Sequence, residues 1–341
     1  MKATRRPLNL FSPFCRTASR DGLAAKHVGR LLALGLLSVM AFCAPVAELS
    51  AQGEATFSQY VIQPFLLNPA LVGFEEQHQL RINHRSAWVG LPEGPRTSAL
   101  SYNGHLSPTL GLGAQVFTET IAGMQRLAVR GAYAFRHPVG DAWDLAGGFA
   151  LVVSNNRLRS GVVGSFGFEE DDPIAQAALD SRSSLDASIG FFAKHRSGAY
   201  GGLTFPNLVA ANLSERSPDA EGPGRGGLQH FALRLGHDAY FPQRKMHFRP
   251  SVLLSRTEGS PFRADINGLL SFRDDQFLTG ARFQVGAGSS AGLIVGARWD
   301  QLRFYYGYDL SFGAIQTYSS GSHELTVGYD LSRRRSRIGA I

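Results

Sequence analysis

The sequence predicts an all-β fold, a transmembrane antiparallel β-barrel of about 14 strands with long extracellular loops and short periplasmic turns. Three observations predict it. From Gln79 to Leu331 the chain runs in segments of about ten residues that alternate apolar with polar or small side chains. No apolar run in that region approaches the roughly 20 residues that a membrane-spanning helix needs. Long and short connections also alternate along the chain, as they do in bacterial outer-membrane barrels.

Residues 1–51 are predicted to be a cleaved signal peptide that directs the protein to the outer membrane. Basic residues extend to Arg30, an apolar run follows, and small residues surround Ala51. The long basic part leaves open a misassigned start codon or an organellar transit peptide. Cys43 could be a lipidation site, but the bulky Phe42 precedes it where a small residue is expected.

Charge and cysteine usage exclude several function classes for the mature chain. The formal net charge of +7 is concentrated in the leader, because residues 1–51 hold seven Lys or Arg against two acids and the remainder carries only +2. Such a weak field does not attract phosphates, so no nucleic-acid partner is predicted. Both cysteines, Cys15 and Cys43, lie in the leader, which excludes disulfides, thiolate metal sites and cysteine nucleophiles after cleavage.

The stretch 52–77 is predicted to be a periplasmic N-terminal segment that precedes the barrel. It has neither helical nor strand periodicity and contains Pro64 and Pro69. A flexible linker would be rich in Gly, Ser and charge, whereas this stretch is dense in Phe, Leu and Val side chains that need burial. It is therefore predicted to plug the lumen, to pack on the periplasmic rim or to bind another protein.

The barrel is predicted to occupy residues 78–331. Candidate strands lie near 78–86, 96–106, 110–118, 126–137, 143–154, 185–195, 198–205, 228–241, 246–256, 262–272, 276–286, 291–299, 302–312 and 321–331. Short turns follow the even-numbered strands, apart from one short odd-side link at 287–290, and the long links at 87–95, 155–184, 206–227 and 313–320 follow odd-numbered strands. With the N-terminus in the periplasm, the long links lie outside. A soluble β-sandwich, the alternative fold, has no reason to sort its loops in this way.

Side-chain parity separates a lipid face from a lumen face, because successive residues of a strand point to opposite sides. Tyr306, Tyr308 and Leu325 are predicted to face lipid. The predicted lumen-facing charges are Arg130, Arg136, Asp144, Asp186, Lys194, Arg234, Asp238, Arg263, Asp265, Arg282, Arg298, Arg303, Asp309, Glu324 and Asp330. Since both signs occur, ion pairs in the lumen wall are favoured over a channel selective for one sign.

Local patterns with enzymatic or metal-binding precedents lack the required context. The G-x-S-x-G match at 288–292 lies between two strands, whereas a nucleophile elbow needs a strand before it and a helix after it. The G-x-G-x-x-G match at 222–227 lies in a proline-containing loop. The acidic run at 169–172 could chelate Ca²⁺, but it is interpreted as a solvated loop. No catalytic, cofactor-binding or metal residue is predicted.

A collinear series of short motifs resembles one known family. The motifs are FSQY at 57–60, NPA at 68–70 followed by Gly73, Arg85, WVG at 88–90, GPRT at 94–97, GGLTFPNL at 201–208 and HEL at 323–325. Over essentially the whole mature chain, the sequence resembles the PorP/SprF family of type IX secretion outer-membrane proteins from Bacteroidetes-type bacteria. The basic C-terminal tail at 332–341, which ends in Ile341 rather than an aromatic residue, departs from the family's pattern.

The resemblance implies a non-enzymatic outer-membrane component of the type IX protein secretion and gliding machinery, which assists export or surface retention of specific proteins. Its implied partners are outer-membrane lipid, periplasmic secretion-ring or peptidoglycan-binding components, and secreted surface proteins; no cofactor is implied. The candidate partner-binding residues are Phe57, Ser58, Gln59, Tyr60, Phe65, Asn68, Pro69 and Trp88. A general porin or nutrient channel is the alternative function, and an outer-membrane enzyme is a third.

Overall fold

The computed structural model describes residues 58–75, 77–158, 182–209, 211–212, 230–257, 261–286 and 288–331. In these ranges the chain forms fourteen barrel strands. They are β1 (His78–Ser86), β2 (Arg96–Ser107), β3 (Leu110–Ile121), β4 (Met124–Val139), β5 (Trp143–Leu158), β6 (Arg182–His195), β7 (Ala199–Phe205), β8 (Phe231–His237, continued by Ala239–Phe241), β9 (Met246–Arg256), β10 (Arg263–Phe272), β11 (Phe277–Gly286), β12 (Ser290–Trp299), β13 (Leu302–Ser311) and β14 (Ser322–Leu331).

The remaining described elements are short 3₁₀-helices and one two-residue strand. The helices are Ser58–Val61, Pro64–Leu66, Pro69–Leu71, Pro242–Arg244 and Ala314–Thr317, and the short strand Ala211–Asn212 pairs with β6. None of the helices in the described ranges is long and apolar enough to cross a membrane. The predicted leader at 1–51 and basic tail at 332–341 lie outside the described residues, so their boundaries stay predictions.

Hydrogen bonding closes the strands into one antiparallel barrel. Each barrel strand pairs with its neighbours in sequence, and β14 returns to β1 in a register that runs from Leu331 opposite His78 to His323 opposite Ser86. Strand β8 bridges β7 and β9 although its ladder is interrupted at Asp238. Closure removes the free sheet edges that lipid does not tolerate. The predicted transmembrane barrel of 14 strands is confirmed.

The barrel is apolar outside and polar inside. In β1, Leu80 and Ile82 are 40% and 59% exposed, whereas Gln79, Arg81 and Asn83 beside them are at most 5% exposed. A soluble protein keeps polar residues outside and packs its large apolar ones in a core. The inverted pattern places lipid around the barrel and polar groups in its lumen.

The positions predicted to face lipid lie on the outer face. Tyr306 and Leu325 stand opposite each other on β13 and β14 and are 42% and 50% exposed. Tyr308 shares their parity but is half-buried, and its hydroxyl donates a hydrogen bond to the Ser320 carbonyl oxygen at 2.7 Å. The period-2 pattern therefore identified the correct face.

One hairpin is shorter than the sequence indicates. The alternation of links predicted a single short connection on the odd side, at 287–290, but β3 runs to Ile121 and β4 begins at Met124. Ala122 and Gly123 alone make the turn, with φ values of 46° and 79°. Two-residue hairpins favour positive φ because it matches the twist of the strands. Alanine seldom adopts this conformation, so the sequence carried a weak turn signal here.

The two ends of the barrel differ in their connections. We call the end at which odd-numbered strands finish the loop end, and the opposite one the turn end. At the loop end the 87–95 and 313–320 links are joined, since the Val89 N–H donates to the Gly321 carbonyl at 2.8 Å and the Ser320 N–H donates to the Val89 carbonyl at 2.7 Å. These two links form one tied surface above β1 and β14.

Candidate functional site

Residues 58–75, which we call the lumenal segment, form three successive 3₁₀-helices of three or four residues. Pro64 and Pro69 begin the second and third helices, because the fixed φ of proline suits a first helical position and its missing N–H needs no partner there. Asn68 caps the third helix, and its Oδ1 accepts a hydrogen bond from the Ala70 N–H at 2.9 Å. Helices this short leave no periodic pattern in the sequence.

The lumenal segment lies inside the barrel. Its side chains and backbone bond to inward-facing groups on β2, β4, β6, β10 and β14, which lie on different sides of the lumen. Its first residues bond in the loop-side half of the lumen, and its last residues reach the turn end, where the chain enters β1. Of the three surfaces that the sequence offered for burial of this segment, the lumen is the one it occupies.

Gln59 anchors the start of the segment to the wall near the loop end. Its side chain is 1% exposed. Its Nε2 donates to the Glu324 backbone carbonyl at 3.1 Å, and its Oε1 accepts from Thr326 Oγ1 at 2.5 Å. Asn83 Nδ2 donates to the same Thr326 hydroxyl at 2.7 Å. Gln59 thus joins the seam between β14 and β1 that closes the barrel.

Tyr60 provides a second buried anchor. Its hydroxyl donates to Asp265 Oδ2 at 3.0 Å and accepts from Asn267 Nδ2 at 3.0 Å. Burial raises the pKa of the Tyr60 hydroxyl above its usual range, and the negative charge of Asp265 raises it further. The hydroxyl therefore keeps its proton and acts as a donor to the carboxylate.

Replacing Tyr60 by phenylalanine is expected to loosen the segment without unfolding the barrel. The substitution removes one hydrogen bond from Asp265, which keeps its pair with Arg263, and it leaves Asn267 Nδ2 without its acceptor. A buried group left unsatisfied in this way costs about 1–3 kcal/mol. Amide hydrogen exchange of the detergent-solubilised protein should quicken across residues 58–75. A matched control is Tyr133→Phe on the outer face of β4, where the tyrosine is 47% exposed. Equal exchange in the two variants would show that the hydroxyl does not hold the segment.

The middle of the segment combines apolar packing with two polar contacts. Asn68 Nδ2 donates to the Phe191 carbonyl at 3.0 Å, and Arg130 Nη1 donates to the Leu66 carbonyl at 2.7 Å. The buried cluster contains Phe65, Ala70, Leu71 and Val72 of the segment and Ala132, Ala134, Ala146, Ala150 and Phe192 of the wall. Apart from Phe192, these wall residues are alanines, which leaves room for the segment's larger side chains.

Glycines on the wall let the backbone of the segment approach closely. A Cβ atom added to Gly148 would overlap backbone atoms of Pro69 and Ala70, and one added to Gly190 would overlap the Asn68 side chain. Gly147, the neighbour of Gly148 on the outer face, has nothing within 4 Å of such a Cβ. Gly148 and Gly190 thus mark where the segment packs against the wall.

Gly73 turns the chain out of the lumen at the turn end. Its φ is +66°, and its N–H donates to Asn103 Oδ1 at 2.7 Å. A Cβ here would lie 2.7 Å from the Gly104 carbonyl oxygen and would also overlap Gly111. Both the left-handed backbone and the close approach require glycine at this position.

Many of the mixed charges predicted for the lumen form ion pairs in its wall. Pairs of at most 3.4 Å join Arg81 to Asp330, Arg85 to Asp309 and Glu324, Arg136 to Asp144, Arg249 to Asp238 and Asp275, Arg263 to Asp265, and Arg282 to Asp309. The predicted lumen-facing charges did not include Arg81, Arg85 or Arg249, although side-chain parity on β1 and β9 could have identified all three. Asp275 lies in a turn, where parity gives no signal.

Cavities lie on both sides of the segment inside the barrel. The one on the loop side has a volume of about 260 Å³ and the one on the turn side about 470 Å³. Phe65 contributes to both, because it lies in the segment between them. An aqueous path along the axis would have to pass the segment.

The structure brings five of the eight predicted partner-binding residues together in this segment: Gln59, Tyr60, Phe65, Asn68 and Pro69. The backbone of Ser58 belongs to the same segment, and Phe57 lies outside the described residues. Trp88 lies elsewhere, in the β1–β2 link at the loop end, where its backbone N–H donates to Ser322 Oγ at 3.1 Å. Whether these residues bind a partner stays a prediction.

The described residues add nothing to the enzymatic or metal-binding patterns in the sequence. Ser290 of the G-x-S-x-G match begins β12, directly after a hairpin. Among the described ranges no group of three His, Cys, Asp or Glu side chains is placed to hold a metal ion. The acidic run at 169–172 and the glycine-rich stretch at 222–227 lie outside the described residues.

Comparison with known proteins gives one family match and several barrels. The family model for the type IX secretion system membrane protein PorP/SprF matches residues 49–329. No curated protein matches the chain. Among solved structures, the CymD monoaromatic hydrocarbon channel is similar at 11% identity with a TM-score of 0.50, over 80% of this chain and 92% of that one.

Two further solved barrels are similar at lower TM-scores. The Pseudomonas putida toluene transporter TodX matches at 10% identity and a TM-score of 0.44, over 82% of this chain and 95% of its own. The Acinetobacter baumannii outer membrane protein Omp33 matches at 10% identity and a TM-score of 0.42, over 76% of this chain and 100% of its own. At identities this low a structural match shows the fold alone, and only the CymD match, with its TM-score of 0.50, supports the barrel fold.

Proposed function

This chain belongs to the family of type IX secretion system membrane proteins PorP/SprF, and we propose that it is a closed, non-enzymatic barrel that assists export or surface retention of specific proteins. It is an outer-membrane protein. In the proposed arrangement the turn end faces the periplasm and contacts secretion-ring or peptidoglycan-binding components, and the loop end faces the cell surface and secreted proteins. A role in gliding belongs to the same proposal.

The observation that carries this proposal is the occupied lumen. A general porin leaves an aqueous channel through a barrel, whereas here the lumenal segment is held by buried hydrogen bonds at Gln59, Tyr60 and Asn68. A barrel closed in this way favours an accessory or docking role over passive conduction. The similarity to hydrocarbon channels concerns the fold and does not alter this preference.

The connections favour the proposed orientation. The turn end is made of tight hairpins, such as the two-residue link at Asp300–Gln301. At the loop end the β3–β4 turn is also short, but the 87–95 and 313–320 links are longer and are tied to each other. Bacterial barrels keep short turns in the periplasm and long loops outside. On this basis the start of β1 and the end of β14 lie on the periplasmic side.

Purification of the tagged protein from gently solubilised membranes is expected to retain periplasmic components of the secretion machine, identified by mass spectrometry. The same preparation should show no steady conductance in planar bilayers, because the lumenal segment blocks the axis. An unrelated outer-membrane barrel with the same tag is the control for capture. Open-channel currents from the parent protein, with no machine component retained, would support the porin alternative.

A further inference from the structure

The cavity on the turn side of the lumenal segment has an apolar floor and a charged wall. Phe65, Leu71 and Phe74 of the segment form the floor, and the volume is about 470 Å³. This size falls within the range of about 300–1,000 Å³ typical of ligand sites. The cavity faces the turn end, because Asp275 of the β10–β11 turn and Arg298 near the end of β12 line it.

Positive charge predominates around this cavity. Six bases line it, against the three acids Glu75, Asp238 and Asp275. The bases are Arg81, Lys194, Arg234, Arg249, Arg298 and Arg303. Arg81 and Arg303 both pair with Asp330 in the wall, and Arg249 pairs with Asp238 at 3.4 Å and Asp275 at 3.2 Å. These pairs account for three of the six bases.

The other three bases, Lys194, Arg234 and Arg298, have no acidic partner among the described residues. Arg298 Nη2 donates to the backbone carbonyl of Asp274 at 2.7 Å. The Arg234 guanidinium lies over the Tyr200 ring, 5.6 Å from its centroid, and its Nε is buried without a hydrogen-bond partner. A polar group buried in this way costs free energy unless a ligand completes its bonding.

We propose that this cavity binds an acidic polypeptide segment of a periplasmic partner, with carboxylates at Lys194, Arg234 and Arg298 and an apolar side chain on the floor. Charge-assisted hydrogen bonds to carboxylates would supply these three bases with the acidic partners that the described residues do not provide. The apolar floor selects a segment that alternates acidic and apolar residues over a simple anion. The identity of the partner rests on the proposed function, whereas its chemistry rests on the cavity.

Isothermal titration calorimetry on the purified full-length barrel in a neutral detergent tests the site. The probes are a peptide of alternating Glu and Leu and a Gln–Leu peptide of the same length. The Glu–Leu peptide should bind and weaken as salt is raised, and the Gln–Leu peptide should not bind. Lys194→Gln and Arg298→Gln should each lower the affinity about three- to tenfold.

Arg256→Gln is the matched control, because Arg256 lines the cavity on the loop side of the segment. It should bind the Glu–Leu peptide as the parent does. Equal affinity in the parent, Lys194→Gln and Arg298→Gln proteins would overturn the proposal, as would failure of the parent to bind, or binding of citrate in place of the peptide. Since the assay uses purified barrel, its failure leaves the secretion role untouched, and loss of partner capture in cells leaves the peptide site untouched.

Discussion

Replacing Gly148 by valine is expected to displace the lumenal segment from its packed position in the lumen and to open the barrel to ions. The new Cβ would overlap backbone atoms of Pro69 and Ala70. A backbone overlap of this kind is not relieved by rotating a side chain, and overpacking of a filled interior costs about 1–3 kcal/mol. Because the strand backbone is held by its ladders to β4 and β6, the segment is the part that moves.

The adjacent Gly147→Val variant is the control, since it adds the same side chain to the same strand on the lipid face, where a Cβ meets nothing within 4 Å. Planar-bilayer recordings should show steady conductance for Gly148→Val and none for the parent or for Gly147→Val. Heat-modifiable migration on gels should be retained in all three proteins. If the Gly148→Val protein is folded but shows no conductance in planar bilayers, the segment adapts to the valine within the lumen.

Replacing Val295 by arginine is expected to lower the free energy of unfolding by about 2–4 kcal/mol, the cost of a cation on the lipid face near the bilayer midplane. Val295 is the sixth of ten residues in β12, is 51% exposed and stands opposite Tyr306 of β13. Its outward position in the middle of the strand places the guanidinium in the hydrocarbon region. Urea titrations of the protein folded into lipid vesicles measure the change.

Val295→Leu keeps the position apolar and should change the free energy of unfolding by well under 1 kcal/mol. The contrast between the two substitutions isolates the cost of charge from the cost of changing the side chain. If arginine and leucine were tolerated equally, the face carrying Val295 and Tyr306 would not contact lipid. The assignment of the outer surface would then be wrong.

Much of the barrel was predictable because its signals are local. Strands β1 and β9 begin and end where the sequence placed them, at 78–86 and 246–256. The period-2 pattern separated Ile82 and Tyr306 on the lipid face from Arg303 and Asp309 on the lumen face, because each strand alternates independently of its neighbours. The two-residue β3–β4 turn was missed because Ala122 has a positive φ, and alanine is not a residue type that indicates this conformation in a sequence.

The candidate site was predictable only in part. The apolar density of 52–77 indicated burial, and it correctly selected Tyr60 and Phe65 as residues that need a packing partner. It could not choose among the lumen, the rim and another protein, because hydrophobic burial has no direction. The Gln59 contact with Glu324 spans 265 residues of sequence, and no local pattern links two such positions.

By itself, the sequence determined a barrel of about 14 strands, the face that each strand turns to lipid, and a segment before the first strand that has to be buried. These follow from side-chain alternation and composition, which act within a few residues. The tertiary structure alone decided that the segment lies in the lumen and that it packs against Gly148 and Gly190. It also decided that Lys194, Arg234 and Arg298 line one cavity with no acidic partner in the part of the chain that the structure describes. Those features depend on barrel closure, which brings together side chains from strands far apart in the chain.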